Sequence, residues 1–270
     1  MPFNDKLKLA SQKNNSLLCV GLDPNLKMMP IGDVVSFNNQ IIEATSDLVC
    51  AYKPNFAFYE ALGSNGLRIL EKTRKQIPDW IPVIADAKRG DIGSTSEAYA
   101  KALFDTFAFD AATVNPYMGY DSLVPFIQYS ERGVFILCKT SNTGSADFQN
   151  LLVSEGPGEQ NTIPLFEAVA IKAMSWNKHG NIGLVVGANC PAELRRIRQL
   201  CPELPLLIPG IGVQGGEISD AVTNGRGPQK ASIIINCART IIYASGGNDF
   251  ASAARTKAQM IRDEINKHIL

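Results

Sequence analysis

Pro82-Val83-Ile84-Ala85-Asp86-Ala87-Lys88-Arg89-Gly90-Asp91 begins as a short apolar run and ends in a group of charges around one glycine. Consecutive apolar residues, rather than alternating ones, suit a parallel strand covered on both faces. Similar runs rich in β-branched residues recur at 17–20, 49–52, 112–114, 134–137, 183–186, 206–208 and 232–235, and with 82–85 they make eight candidate strands. Their centres lie roughly 30 residues apart, the size of one βα unit of an eightfold barrel. The intervening segments read as helices. Residues 97–107 combine strong helix formers with an apolar stripe, and 249–268 carries Phe250, Ala254, Ala258, Ile261 and Ile265 at helical spacing. The pattern predicts an α/β fold, a single-domain (β/α)8 TIM barrel over residues 1–270, with a doubly wound open sheet as the alternative.

A chain of 270 residues is long enough for such a barrel, and its 26 basic and 26 acidic residues balance, so charge points to neither a nucleic acid nor a membrane partner. No run approaches the ~18 apolar residues of a membrane span. The N-terminal stretch with Asn4, Asp5, Lys6, Lys8, Gln12 and Lys13 lacks a signal-peptide apolar region, which predicts a cytoplasmic protein. The six cysteines form no C-x-x-C pair and there are only two histidines, so neither zinc-ligand spacing nor a disulfide framework is expected. Cys19, Cys138 and Cys237 sit in apolar runs and read as small hydrophobes. With so little histidine, acid/base chemistry falls to carboxylates and lysines.

In a barrel the active site lies where strands end and βα loops begin. The first strand runs into Asp23-Pro24-Asn25, the second into Lys53-Pro54-Asn55, the fourth into Asn115-Pro116 and the fifth into Lys139-Thr140-Ser141-Asn142. At the third end, Asp86 and Lys88 are two positions apart and should point to the same side, while Asp91, beyond Gly90, is swung out by the turn. Lys53 on the neighbouring strand is a further partner for Asp86. This predicts an alternating Lys/Asp network, either catalytic or a structural ion-pair cluster closing the barrel mouth. The connection 141–161, with Gly144, Gly156, Pro157 and Gly158, is long and predicts a lid; 224–230 reads as surface punctuation. Gly210-x-Gly212-x-x-Gly215 is formally a dinucleotide fingerprint, but it lies late in the chain, with Ser232-Ile233-Ile234-Ile235 where the ribose-binding acid belongs. Followed by Asn236-Cys237-Ala238-Arg239, it reads instead as a barrel phosphate site made of backbone N–H groups and a guanidinium. Nothing in this reading requires a metal or cofactor.

Taken together, Asp23, Lys53, Asp86-x-Lys88-x-x-Asp91, Thr95, Ser141, Gln214 and Arg239 resemble the orotidine 5'-phosphate decarboxylase family over nearly the whole barrel. The most specific piece is Asp86-Ala87-Lys88-Arg89-Gly90-Asp91-Ile92-Gly93, supported by Tyr52-Lys53-Pro54-Asn55 and Thr140-Ser141-Asn142. The resemblance implies conversion of orotidine monophosphate to uridine monophosphate in pyrimidine biosynthesis, by a cofactor-free homodimer. It implies that Asp86 lies beside the substrate carboxylate and that Lys88 protonates C6, with Lys53 and Asp91 flanking them. Asp91 and Thr95 would serve the neighbouring subunit's site. Asp23 would bind a ribose hydroxyl, Ser141 the pyrimidine edge, and Gln214 with Arg239 the phosphate.

Other readings make different demands. A magnesium-dependent sugar-phosphate decarboxylase or synthase can share the D-x-K-x-x-D motif, with carboxylates holding the metal. A Schiff-base aldolase needs a free amine, which an adjacent Asp disfavours. A catalytically silent nucleotide-binding barrel has no need of Lys53, Asp86, Lys88 and Asp91 together.

Overall fold

The computed structural model describes residues 1–154, 161–212, 215–228 and 232–269. Ten strands occur among them: β1 (Leu18–Leu22), β2 (Ala51–Pro54), β3 (Ile84–Arg89), β4 (Ala111–Val114), β5 (Gly133–Lys139), β6 (Leu152–Ser154), β7 (Thr162–Pro164), β8 (Ile182–Val186), β9 (Leu206–Pro209) and β10 (Ile233–Cys237). Eight form one parallel sheet in the order β2-β1-β10-β9-β8-β5-β4-β3. Single bridges, Tyr52 to Val83 and Asn55 to Asp86, join β2 to β3 and bring the two ends together. Strand neighbours therefore follow chain order around a nearly closed (β/α)8 barrel, without the order reversal of a doubly wound sheet.

Each expected strand is present, but several run further toward their C-terminal ends than the apolar runs do. β1 ends at Leu22 rather than 20, β3 at Arg89 rather than 85, and β5 at Lys139 rather than 137. An apolar-run criterion stops at Asp86 on β3, and that strand continues because Asp86 finds a partner, Lys53, on the neighbouring strand. The helix expected over 97–107 starts earlier, as an α-helix over Gly93–Lys101, and finishes in a π-helical turn over Ala102–Thr106. The C-terminal helix Phe250–Lys267 buries Phe250, Ala254, Ala258, Ile261 and Ile265, the stripe read from the sequence. Within the connection 141–161, residues 155–160, with Gly156, Pro157 and Gly158, lie outside the described residues, and the described part is not irregular throughout. It holds a 3-10 turn (Thr143–Ser145), a short helix (Ala146–Gln149) and strand β6, which pairs with β7 as an antiparallel hairpin.

Inside the barrel, each wall strand contributes one residue to a core layer: Cys19, Ala51, Ile84, Ala111, Phe135, Val185, Leu207 and Ile234. The N-terminal helix Phe3–Asn14 closes the floor beneath it. Phe3 packs edge-on against Phe135 with ring centroids 5.6 Å apart, and Lys6 pairs with buried Asp110 at 2.7 Å. Water is thus kept from one end of the barrel, and any site must open at the other. Side chains two residues further along a strand point the same way. The next level up is accordingly Lys53, Asp86, Thr113, Leu137, Pro209 and Asn236, all of which line one cavity.

Candidate active site

That cavity, of about 500 Å³, sits at the C-terminal ends of the strands and is lined by Asp23, Lys53, Asp86, Lys88, Ser141 and Arg239 among others. Six predicted residues separated by up to 216 positions thus meet in one space (23 to 239). Asp86 is at its centre. One carboxylate oxygen lies 2.6 Å from Lys53 Nζ, and the other lies 2.5 Å from Lys88 Nζ and accepts from the Thr113 hydroxyl at 3.1 Å.

The two lysines differ in environment. The Lys53 side chain is 4% exposed and that of Lys88 is 49% exposed, so one ammonium is locked in the wall while the other faces the cavity. Burial alone would raise the Asp86 carboxyl, but the ammonium groups of Lys53 and Lys88 outweigh it and hold the acid well below the usual carboxylate range. Burial would likewise lower Lys53, and the carboxylates of Asp86 and Asp23 reverse this and raise it. Asp23 is pushed up by burial, against the pull of Lys53, and its Oδ1 has no hydrogen-bond partner. Tyr243 sets the turn that carries Asp23: its hydroxyl donates to Asp23 O at 2.8 Å and accepts from Asn25 N at 2.6 Å.

Asp86 and Lys88 do share a side, but simple alternation is not the cause. The β3 ladder with β4 is regular at Ile84–Ala111 and Ala85–Ala112 and resumes only at Arg89–Val114. Within this bulge Lys88 has φ +49°, a left-handed conformation uncommon for a side-chain-bearing residue. The bulge tips the Lys88 ammonium back over Asp86. Asp91 lies beyond the bulge and outside the cavity, where its carboxylate accepts from Ile92 N at 2.8 Å. Thr95 is exposed on the helix Gly93–Lys101 and does not line the cavity either.

On the opposite wall Arg239 opens a short helix directly after β10, beside Gly210 and Ile211. Three of the glycine N–H groups read as an anion cradle are engaged within the loop itself. Gly212 N donates to Gly216 O, Gly215 N to Gly212 O and Gly216 N to Gly210 O, so these three donors are spent within the loop. Gly216 is required there for space, because a Cβ would sit 2.4 Å from that of Ala188. Gln214 lies outside the described residues. Ser141 packs against Gly187, where a Cβ would fall 2.9 Å away, and its carbonyl accepts from the Asn189 side chain.

Several lining residues were not singled out from the sequence. Thr113 stands within an otherwise apolar run, and that lone hydroxyl was the available signal. Asn236 is 6% exposed with an unpartnered Oδ1; its place just before Arg239 hinted at it. Phe148 and Gln149 come from the short helix within 141–161, and Gln149 clasps Thr140 by accepting from its N–H at 2.9 Å and donating to its hydroxyl at 2.8 Å. Behind this wall Lys139, already read at the fifth strand tip, does not line the cavity; it is buried and donates to Ser145 and Asn150, both at 3.0 Å.

Among the described residues no three His, Cys, Asp or Glu side chains gather as a metal site, and no helix is long and apolar enough to cross a membrane. A profile of the family described as "Orotidine 5'-phosphate decarboxylase / HUMPS family" matches residues 16–255. The chain is 52% identical over 269 residues to an orotidine 5'-phosphate decarboxylase of Dehalococcoides mccartyi, covering 99% of this chain and 98% of that one. It is 53% identical over 264 residues to one of Herpetosiphon aurantiacus, covering 95% of each. The fold superposes on the solved structure of Leishmania donovani OMP decarboxylase with a TM-score of 0.88 at 39% identity, over 100% of this chain and 99% of that one. A profile spanning most of the chain, and relatives more than half identical over nearly their full lengths, place the paired lysines and aspartate in a known context: the chain belongs to the orotidine 5'-phosphate decarboxylase / HUMPS family.

Proposed function

We infer that the chain is a carboxy-lyase that converts orotidine 5'-phosphate to uridine 5'-phosphate and carbon dioxide, the last step of de novo UMP synthesis. The observation that carries the reading is the Lys53–Asp86–Lys88 array, a buried carboxylate held charged between an enclosed ammonium and one that faces the cavity. Loss of carbon dioxide leaves the C6–carboxylate electron pair on an sp2 carbon with no attached carbonyl to delocalise it. A preorganised cation beside that carbon is then the available stabiliser, and Lys88 supplies both the charge and the proton. As the bond breaks, the pair remains on C6, the Lys88 ammonium delivers a proton there, and the resulting amine regains one from solvent. A positioned donor of this kind contributes ~3 to 4 kcal/mol. The remainder comes from binding interactions made away from C6 and realised in the transition state.

Asp86 faces the departing carboxylate, and its charge, held by two ammonium groups, opposes that of the substrate until carbon dioxide leaves. Asp23, which lines the cavity, binds a ribose hydroxyl, Ser141 meets the pyrimidine edge, and Arg239, with Gln214, binds the phosphate. The described part of the connection after β5, residues 141–154, acts as a lid. Its Phe148 lines the cavity yet is 60% exposed, as a side chain awaiting cover would be.

The enzyme works as a homodimer with shared sites in this reading. Asp91 and Thr95 lie outside the cavity, on a segment that also exposes Ile92 and Tyr99, and would complete a second subunit's site. Six free thiols fit the reducing cytoplasm. The magnesium-dependent alternative is less well served, because both oxygens of Asp86 already face ammonium groups.

The test is the ultraviolet change on mixing protein with orotidine 5'-phosphate in excess EDTA, with uridine monophosphate identified as product. Rapid conversion is expected. Conversion only with added magnesium, or none from folded dimer, refutes the reading.

A further inference from the structure

The reading above gives no part to Thr113, although its side chain touches both halves of the Asp86–Lys88 unit. It lies on β4, is 1% exposed, donates to Asp86 Oδ1 at 3.1 Å and accepts from Lys88 N at 3.0 Å. Its place in the ladder explains why. Ala85 pairs with Ala112 and Arg89 with Val114, so Asp86, Ala87 and Lys88 all stand opposite Thr113 alone. A regular parallel ladder would satisfy backbone N–H groups with backbone carbonyls of the neighbour. In this gap a side-chain hydroxyl takes the Lys88 N–H instead.

We propose that Thr113 is a positioning residue for decarboxylation, its hydroxyl pinning the left-handed backbone at Lys88 and the rotation of the Asp86 carboxylate so that the Lys88 ammonium is delivered to C6. The proposal rests on Lys88 being the proton donor. A hydroxyl is the chemistry the position demands, because it accepts from an N–H and donates to a carboxylate at once. Valine has nearly the same shape and does neither. Serine does both without the methyl group. Lys53 approaches the other carboxylate oxygen, so losing the Thr113 bond frees the Lys88 side of Asp86 while leaving the buried pair with Lys53 in place. A left-handed residue persists only when its surroundings over-determine it, and the Thr113 contact holds Lys88 alongside the contact of its own ammonium with Asp86.

The experiment compares Thr113→Val, Thr113→Ser and Lys88→Ala with the unaltered enzyme in steady-state decarboxylation, alongside uridine monophosphate affinity and thermal midpoint. For Thr113→Val, kcat should fall roughly 10- to 100-fold, the cost of misplacing a reacting group by about an ångström, with product affinity nearly unchanged. Thr113→Ser should return kcat to within about threefold of the starting enzyme, because it restores both bonds. Unaltered kcat in Thr113→Val, or equal damage in the Ser and Val variants, overturns the proposal. If the valine variant does not fold, Thr113→Ala against Thr113→Ser decides in the same way, with equal kcat in the two refuting it. Normal turnover in Lys88→Ala would instead sink the underlying assignment of the proton donor, whatever the Thr113 variants do.

Discussion

Replacing Asp86 with Asn keeps the shape of the side chain and removes the one charge that two ammonium groups share. The loss is unequal for the two lysines. Lys88 is half exposed and finds water, so its share is close to zero at a solvent-screened position. Lys53 is 4% exposed and cannot leave the wall of the barrel, so it is left as a buried, unpaired cation with only Asp23 nearby. Removing one member of a buried pair costs about 3–5 kcal/mol, and in a chain of this size that lowers the thermal midpoint by about 10 °C. The pH dependence gives a second, independent signature. In the native protein Asp86 is held below its ordinary value, so its contribution is present above ~pH 4 and is lost as pH falls through the folded-state value. Lys53 is raised, so its contribution is present below ~pH 10 and is lost as pH rises through its own folded-state value. Native stability from this pair should therefore be flat between those limits. In Asp86→Asn, burial acts on Lys53 without the main opposing carboxylate and lowers it, so the penalty is full near neutrality and shrinks toward pH 10. Scanning calorimetry of both proteins from pH 6 to 10, with Lys88→Met as the exposed-lysine control, measures this directly. A midpoint for Asp86→Asn equal to or above the native one, or a gap that widens with pH, would refute the account of Lys53 as a cation held by Asp86.

Three further expectations concern separate parts of the site. Asp91→Ala and Lys88→Ala, each inactive alone, should regain activity when their subunits are exchanged, since one hybrid site then contains neither lesion; no recovery despite exchange seen by mass spectrometry argues against shared sites. Arg239→Ala should reduce kcat/KM by roughly 100-fold or more through loss of a charge-assisted phosphate contact. Its loss of affinity for uridine monophosphate should far exceed that for uridine, and equal losses would place Arg239 away from the phosphate. Lys139→Met removes the buried cation that ties Ser145 and Asn150 to β5. Limited proteolysis within 141–161 should become about tenfold faster while the global midpoint stays or rises, because a buried charge has been removed as well. Unchanged cleavage would mean that Lys139 does not restrain the segment.

What could be read along the chain was what depends on near neighbours. Short apolar runs at barrel spacing gave the strand count, and the stripe from Phe250 to Ile265 gave the last helix face, because burial periodicity is a local signal. The grouping of Asp86, Lys88 and Lys53 was also legible, since charges directly after apolar runs fall at strand tips and neighbouring tips meet in a barrel. Where the strands stop was not legible. β3 extends through Asp86 and Lys88 because Lys53, 33 residues earlier, and Thr113, 27 residues later than Asp86, satisfy the carboxylate.

The same limit explains the glycine loop and the floor of the barrel. Gly210 to Gly216 has the composition of an anion cradle, yet three of its N–H groups close on the loop's own carbonyls, a choice made by the turn geometry rather than by residue type. The helix Phe3–Asn14 seals the barrel because Phe3 finds Phe135 and Lys6 finds Asp110, contacts spanning more than 100 residues. By itself, the sequence determined the fold class, the strand-tip residues and the chemical types available there. Only the tertiary structure decided that Lys53 is enclosed while Lys88 faces the cavity, that Lys88 turns left-handed against Thr113, and that Asp91 and Thr95 stand outside. Composition and periodicity record what each residue prefers on average. Burial, ladder register and the partner across the barrel set what a charge costs at one place, and those are properties of the assembled chain.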